Sequence, residues 1–210
     1  MIPNCAATRH AHFTLDGSGA AVLAPPDLAR WPAVHWTPSP TAKRVNLDVL
    51  TPAEVATWKP GESLLLSGRM LTGRDAAHKR IADLFASNQA LPPGVDFTNR
   101  VIYYVGPVNP VRDEVVGPAG PTTSTRMDKF TEMMLEKTGL IAMVGKAERG
   151  PAGLEAIRKH KAAYLMAIGG AAYLVSKAIR ASPTSRGSPV SWASCCRSAS
   201  SSAQIGRAHV

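Results

Sequence analysis

The chain is poor in cysteine, with only Cys5, Cys195 and Cys196 in 210 residues. Three thiols so unevenly spread cannot staple a secreted scaffold, so the fold must rest on a hydrophobic core and a reducing, cytoplasmic setting is expected. Long apolar runs are missing too. The longest, residues 162–175, is broken by Gly169 and Gly170 and falls short of the roughly 18 residues that a membrane span needs. The opening MIPN has neither the basic nor the apolar region of a secretory signal, so no membrane partner is expected. Acid disappears after Glu155, where eight lysines and arginines follow and account for nearly all of the formal net charge of +9. The first 155 residues are therefore close to neutral. A basic anion- or nucleic-acid-binding module is one class such a C-terminal third would suit, but no nucleic-acid motif accompanies the cations. Salt-dependent binding to DNA would be its signature.

What is present changes character along the chain. Residues 1–44 are rich in proline, histidine and tryptophan without periodicity and read as a linker or the end of another domain. Residues 45–180 alternate strand-like and helix-like units: a strand at 63–66, a helix at 74–87, the β-branched and aromatic strand VIYYV at 101–105, a helix at 126–137, a strand at 140–144, a helix at 152–160, a strand at 164–168 and a helix reaching Arg180. Strand, glycine turn and helix in repetition predict an α/β domain with parallel pairing, whose ligands gather where the strands end. Residues 181–210 hold nine serines, no acid and no periodicity. Their close, QIGRAHV, matches a translated sequencing-library adapter, so they are expected to be a non-native or frameshifted tail on a domain truncated at its C-terminal end.

Several strand-end loops carry a cation or hydroxyls. Residues 117–128, GPAGPTTSTRMD, form a stiff turn that leads free N–H groups, hydroxyls and the planar fork of Arg126 into a helix start. Arg74 opens the helix after the first long strand, and Lys146 follows the strand at 140–144. If those strands are neighbours, Arg74, Arg126 and Lys146 converge on one rim and can hold a small dicarboxylate. Each has an ordinary alternative: Arg126 as a solvated first-turn charge, Arg74 in a surface pair with Asp75, Lys146 as a solvated lysine, and His78 as a packing residue. Cys5, beside His10 and His12, lacks a full tetrahedral zinc set.

Taken together, GRMLTGRDAAHKR, the segment from VIYYVGPVNP to MVGKAERG, and KHKAAYLMAIGGAAYLVSKAIR resemble the C-terminal (β) domain of class I, iron–sulfur-dependent fumarate hydratases. The related tartrate dehydratase β subunit is a near neighbour. The resemblance covers about residues 45–180, and PNCAATRHAHF is similar to the end of that family's N-terminal (α) domain. It implies a swivelling β/β/α fold with flanking helices and reversible hydration of fumarate to (S)-malate at a 4Fe-4S cluster. It further implies that Cys5 is one cluster ligand, that Arg74, Arg126 and Lys146 clamp substrate carboxylates, and that Thr122 is the catalytic base, with Thr123 and His78 as neighbours. The other cluster cysteines would come from an α domain that this chain lacks. The full-length enzyme would be a homodimer, and the chain by itself would be inactive.

Overall fold

The computed structural model describes residues 16, 17, 19, 39–106, 108–110, 115–167, 170 and 172–181, together with the strand at 197–209. In chain order the elements are β1 (Lys43–Asn46), α1 (Pro52–Val55), β2 (Ser63–Thr72), α2 (Asp75–Ala86), β3 (Val101–Tyr103), a 3-10 turn (Ser124–Met127), α3 (Asp128–Thr138), β4 (Ala142–Gly145), α4 (Pro151–Lys159), β5 (Ala163–Met166), α5 (Ala172–Ala178), β6 (Ile179–Ala181) and β7 (Arg197–His209).

Strands β1 to β5 pair in sequence order and all run parallel. A parallel neighbour cannot be reached by a hairpin, so a crossover must lie between strands, and α1, α2, α3 and α4 lie in the four connections. The sheet then curls. β7 runs antiparallel to β2 over Thr72 to Ser63 and, at its other end, antiparallel to β5, so the ladder closes on itself. The serine-rich segment expected to lie outside the domain thus occupies the edges that β2 and β5 leave open. An unpaired strand edge accepts almost any extended backbone, whatever its side chains.

Side-chain alternation divides the core in two. Val101, Tyr103 and Val105 face one cluster with Leu64, Leu66, Ala142, Val144, Ala163 and Leu165. Ile102, Tyr104, Met143 and Tyr164 face the other, against Ile81, Met127, Phe130, Met134 and Ile157 of the helical layer. Period-two strands buried on both faces read as continuous apolar runs, which is why VIYYV is so plain in the sequence.

Helix boundaries follow local chemistry. Asp75 begins α2, where a carboxylate suits the positive end of the helix, and Ala77, His78 and Ile81 recur on its buried face. Gly139, at φ 73°, ends α3 in the left-handed conformation that spares a Cβ clash. Pro151 starts α4, where its missing N–H costs nothing. The Asp128 carboxylate reaches across from α3 and accepts the Gly150 N–H at 2.7 Å, capping α4 from a neighbouring helix.

Candidate functional site

Because β2, β3 and β4 are parallel neighbours, the segments leaving their carboxyl ends share one edge of the sheet. Arg74 leaves β2, residues 117–127 precede α3 on the path from β3, and Lys146 leaves β4. Backbone bonds lock these segments together. The Gly73 N–H donates to the Tyr103 carbonyl at 3.1 Å, tying the end of β2 to β3. The Thr122 N–H donates to the Tyr104 carbonyl at 2.7 Å, the Lys146 N–H to the Thr122 carbonyl at 3.1 Å, and the Ser124 N–H to the Lys146 carbonyl at 3.0 Å. The threonine turn is therefore wedged between the extensions of β3 and β4, with Thr123 in a single parallel bridge to Lys146. Thr122 and Lys146 meet there through the main chain.

Arg74 lies along the loop that leaves β3: a Cβ added at Gly106 would stand 3.0 Å from its Cδ and 3.3 Å from its Nη1. Asp75 bridges the two arginines, 3.7 Å from Arg74 Nε and 4.0 Å from Arg126 Nη1. The surface pair weighed for Arg74 is thus present, and it extends to Arg126. All three side chains are about half exposed, where ion pairs contribute little and exchange readily with solvent. Lys146 is half-buried and makes no ion pair among the described residues. Three cations and one acid leave this rim positive. The Thr122 hydroxyl makes no hydrogen bond among the described residues and is partly exposed.

His78, one helical turn after Arg74, takes no part in the exposed rim. Its Nδ1–H donates to the Arg74 carbonyl at 2.7 Å, and its ring packs on Tyr104 and Phe130. Nε2 is buried without a hydrogen-bond partner. Burial pushes its pKa down to about 4, with the Arg149 cation acting in the same direction and the bond to Arg74 opposing it. His78 is therefore neutral at physiological pH and fixes the carbonyl of the residue that contributes the first cation. Cys5, with the rest of 1–15, lies outside the described residues, as do the side chains of Cys195 and Cys196.

Sequence reasoning missed the support beneath this edge. The Arg149 side chain is fully buried and donates to Asp128 and to the Thr131 hydroxyl, each at 2.5 Å. Its guanidinium lies over the rings of Tyr104 and Tyr164, at 5.7 and 5.1 Å. The Tyr164 hydroxyl donates to the Ala147 carbonyl at 2.7 Å and pairs with Ser124 Oγ at 2.8 Å. Burial raises both tyrosines, Tyr104 to about 12 and Tyr164 by less, so both phenols stay protonated. Gly145 makes the Ser124 contact possible, since a Cβ there would sit 1.9 Å from Ser124 Oγ. One sequence signal was available: a glycine ending a buried strand beside a threonine- and serine-rich turn marks a close approach.

These features define an α/β domain with a curled parallel sheet whose strand-end segments carry cations on one edge. The chain matches the family described as Fumarase C-terminus over residues 17–185, and it belongs to that family. It is 36% identical over 136 residues to a Geobacillus stearothermophilus protein named as a class I fumarate hydratase, covering 63% of this chain and 25% of that protein. It is 35% identical over 133 residues to a Methanocaldococcus jannaschii protein named as the β subunit of an L(+)-tartrate dehydratase, covering 62% of this chain and 67% of the subunit. The anaerobic class I fumarate hydratase of Escherichia coli is 32% identical over 129 residues, 61% of this chain and 23% of the enzyme. The matching region thus spans about a quarter of the fumarate hydratases and two thirds of the tartrate dehydratase subunit.

Proposed function

We propose that this chain supplies the dicarboxylate-holding part of a hydro-lyase that hydrates fumarate to (S)-malate. Three cations in the segments that follow successive parallel strands carry this reading. Arg74 and Arg126 offer planar donor forks and Lys146 a point charge, a set suited to two carboxylates held a fixed distance apart. Asp75 occupies the arginines when no ligand is present and is displaced by a ligand carboxylate. Thr122 moves the proton at its Oγ. A threonine hydroxyl is a weak base unless its ionised form is favoured, and Lys146, bonded to it through the backbone, is the cation best situated to do so.

Cys5, the cluster ligand that the resemblance implies, lies outside the described residues. No group of three or more His, Cys, Asp or Glu among them could hold a metal ion. In this reading Cys5 is one cluster ligand and the rest come from an α partner, as the name of a β subunit among the relatives supports.

Dehydration of L-tartrate is the second reading, favoured by the identity to tartrate dehydratase β subunits. The basic-module reading is weakened by Arg158 and Lys159, which pair with Glu155 and Glu132. No helix among the described residues is long and apolar enough to cross a membrane. Fumarate hydration and L-tartrate dehydration, assayed anaerobically with iron and sulfide, separate the two enzyme readings. The chain alone is expected to give no turnover, and addition of a cluster-binding α subunit is expected to give fumarate turnover. Turnover by the chain alone would contradict the division of labour, and turnover on tartrate only would select the second reading.

A further inference from the structure

Beneath the rim lies a buried polar array that the proposed reaction does not touch. At its base is the Arg149–Asp128 pair, with Asp128 also capping α4. Above it the Tyr164 ring rests on the guanidinium. The phenol donates to the Ala147 carbonyl, which leaves Ser124 Oγ as the donor to the phenol. One hydroxyl thereby joins the turn after β4 to the turn that carries Arg126. Ala147, directly after Lys146, stands at φ 61°. That left-handed conformation is disfavoured for alanine and persists only where the surroundings enforce it.

We propose that the Tyr164–Ser124 pair, seated on Arg149 and Asp128, is a positioning device that sets Lys146 against Arg126 and thereby selects ligands with two carboxylates over ligands with one. The selection rests on the dicarboxylate reading above, whereas the positioning does not. No member of the array touches the ligand. Tyr164 is a neutral, rigid spacer whose single hydroxyl adds a side-chain link at Ser124 and Ala147 to two loops that also meet through the main-chain bonds of Ser124 and Lys146 and, further along, through Asp128 with Arg149 and Gly150. Losing it leaves each cation in place but loosens their separation where the hydroxyl held it. A ligand gripped at both ends senses separation, and a ligand gripped at one end does not.

Tyr164→Phe keeps the ring and removes the hydroxyl. Amide hydrogen exchange is measured at Ser124 and Lys146, with Leu47, whose N–H donates to the Ser67 carbonyl, as a remote control. Calorimetry measures the affinity ratio of fumarate to the monocarboxylate acrylate. Exchange at Ser124 and Lys146 is expected to rise about tenfold with Leu47 unchanged, and the ratio to fall about tenfold, the effect of one lost hydrogen bond. Ser124→Ala cuts the same link from the other side and is expected to reproduce the pattern if Tyr164→Phe fails to fold. Unchanged exchange at Ser124 and Lys146, or an equal rise at Leu47, would overturn the positioning role whether or not fumarate binds. Raised exchange with an unchanged ratio would overturn the selection. Wild-type protein that binds no fumarate would instead sink the dicarboxylate reading and the selection with it, and exchange alone would then decide the positioning.

Discussion

Acid should destabilise this domain through His78, and the size of the effect follows from its burial. In the unfolded chain the imidazole titrates near its ordinary 6.5, whereas in the folded domain it titrates at about 4. Between those values the unfolded state binds more protons, so stability is complete above about pH 6.5 and falls as the solution is acidified. Linkage puts the loss at about 2 kcal/mol at pH 5 and about 3 kcal/mol at pH 4, against the value at pH 7. His78→Asn removes the titrating ring while keeping a side-chain N–H for the Arg74 carbonyl. Urea unfolding followed by the fluorescence of buried Trp58 reports the difference. Moving from pH 7 to pH 5 should shift the wild-type midpoint down by about 1 M more than that of the variant, for an ordinary urea slope. The variant's absolute stability is immaterial, because each protein is compared with itself at two pH values. Equal shifts would refute the argument and show that His78 titrates in the folded state much as it does in water.

Gly145→Ala should cost about 3 kcal/mol by urea unfolding, since its Cβ collides with Ser124 Oγ in a packed interior. Adding Ser124→Ala should restore part of that, because it removes the 1.9 Å clash and leaves only close contacts of 3.3 Å to the Ser124 Cβ and 3.0 Å to Tyr104 Cδ2; no rescue would place the strain elsewhere. Arg149→Met should cost about 3–5 kcal/mol by stranding the Asp128 carboxylate, and calorimetric unfolding checks it. Lys159→Met, which breaks an exposed pair with Glu132, should leave the midpoint where it was. Equal effects of these two substitutions would contradict the distinction between buried and surface pairs.

Much of the fold was open to reading because its signals are local. The VIYYV strand, the glycine-ended strand before Lys146 and the helix expected at 152–160, found at 151–159, declare themselves within a few residues. Strand β2 is expected at 63–66 yet runs to Thr72, where Leu71 and Thr72 pair with β3 and residues 68–70 with β7. At residues 68–70 the extension depends on a partner more than 100 residues away. Strand β7 itself carries little β-propensity and exists where open edges accept it. The same contrast holds at the site. Arg74, Arg126 and Lys146 are visible as cations after strands, and parallel pairing brings their segments to one edge. The bridge made by Asp75 and the link from Ser124 to Tyr164 join separate units, so no spacing rule reaches them. Arg149 and Asp128 stood in loops that were read, but their pairing across 21 positions needs the third dimension.

In the proposed function the edge formed by Arg74, Arg126 and Lys146 holds two carboxylates at once. Calorimetric titration of the chain with fumarate and with acrylate at low salt, for wild type, Arg126→Ala and Lys146→Ala, tests it most directly. Wild type should prefer fumarate by about tenfold or more, as one additional charge-assisted contact implies, and each substitution should abolish the preference while leaving weak binding of acrylate. Equal affinity for the two ligands in wild type, or a preference for fumarate that survives both substitutions, would contradict it.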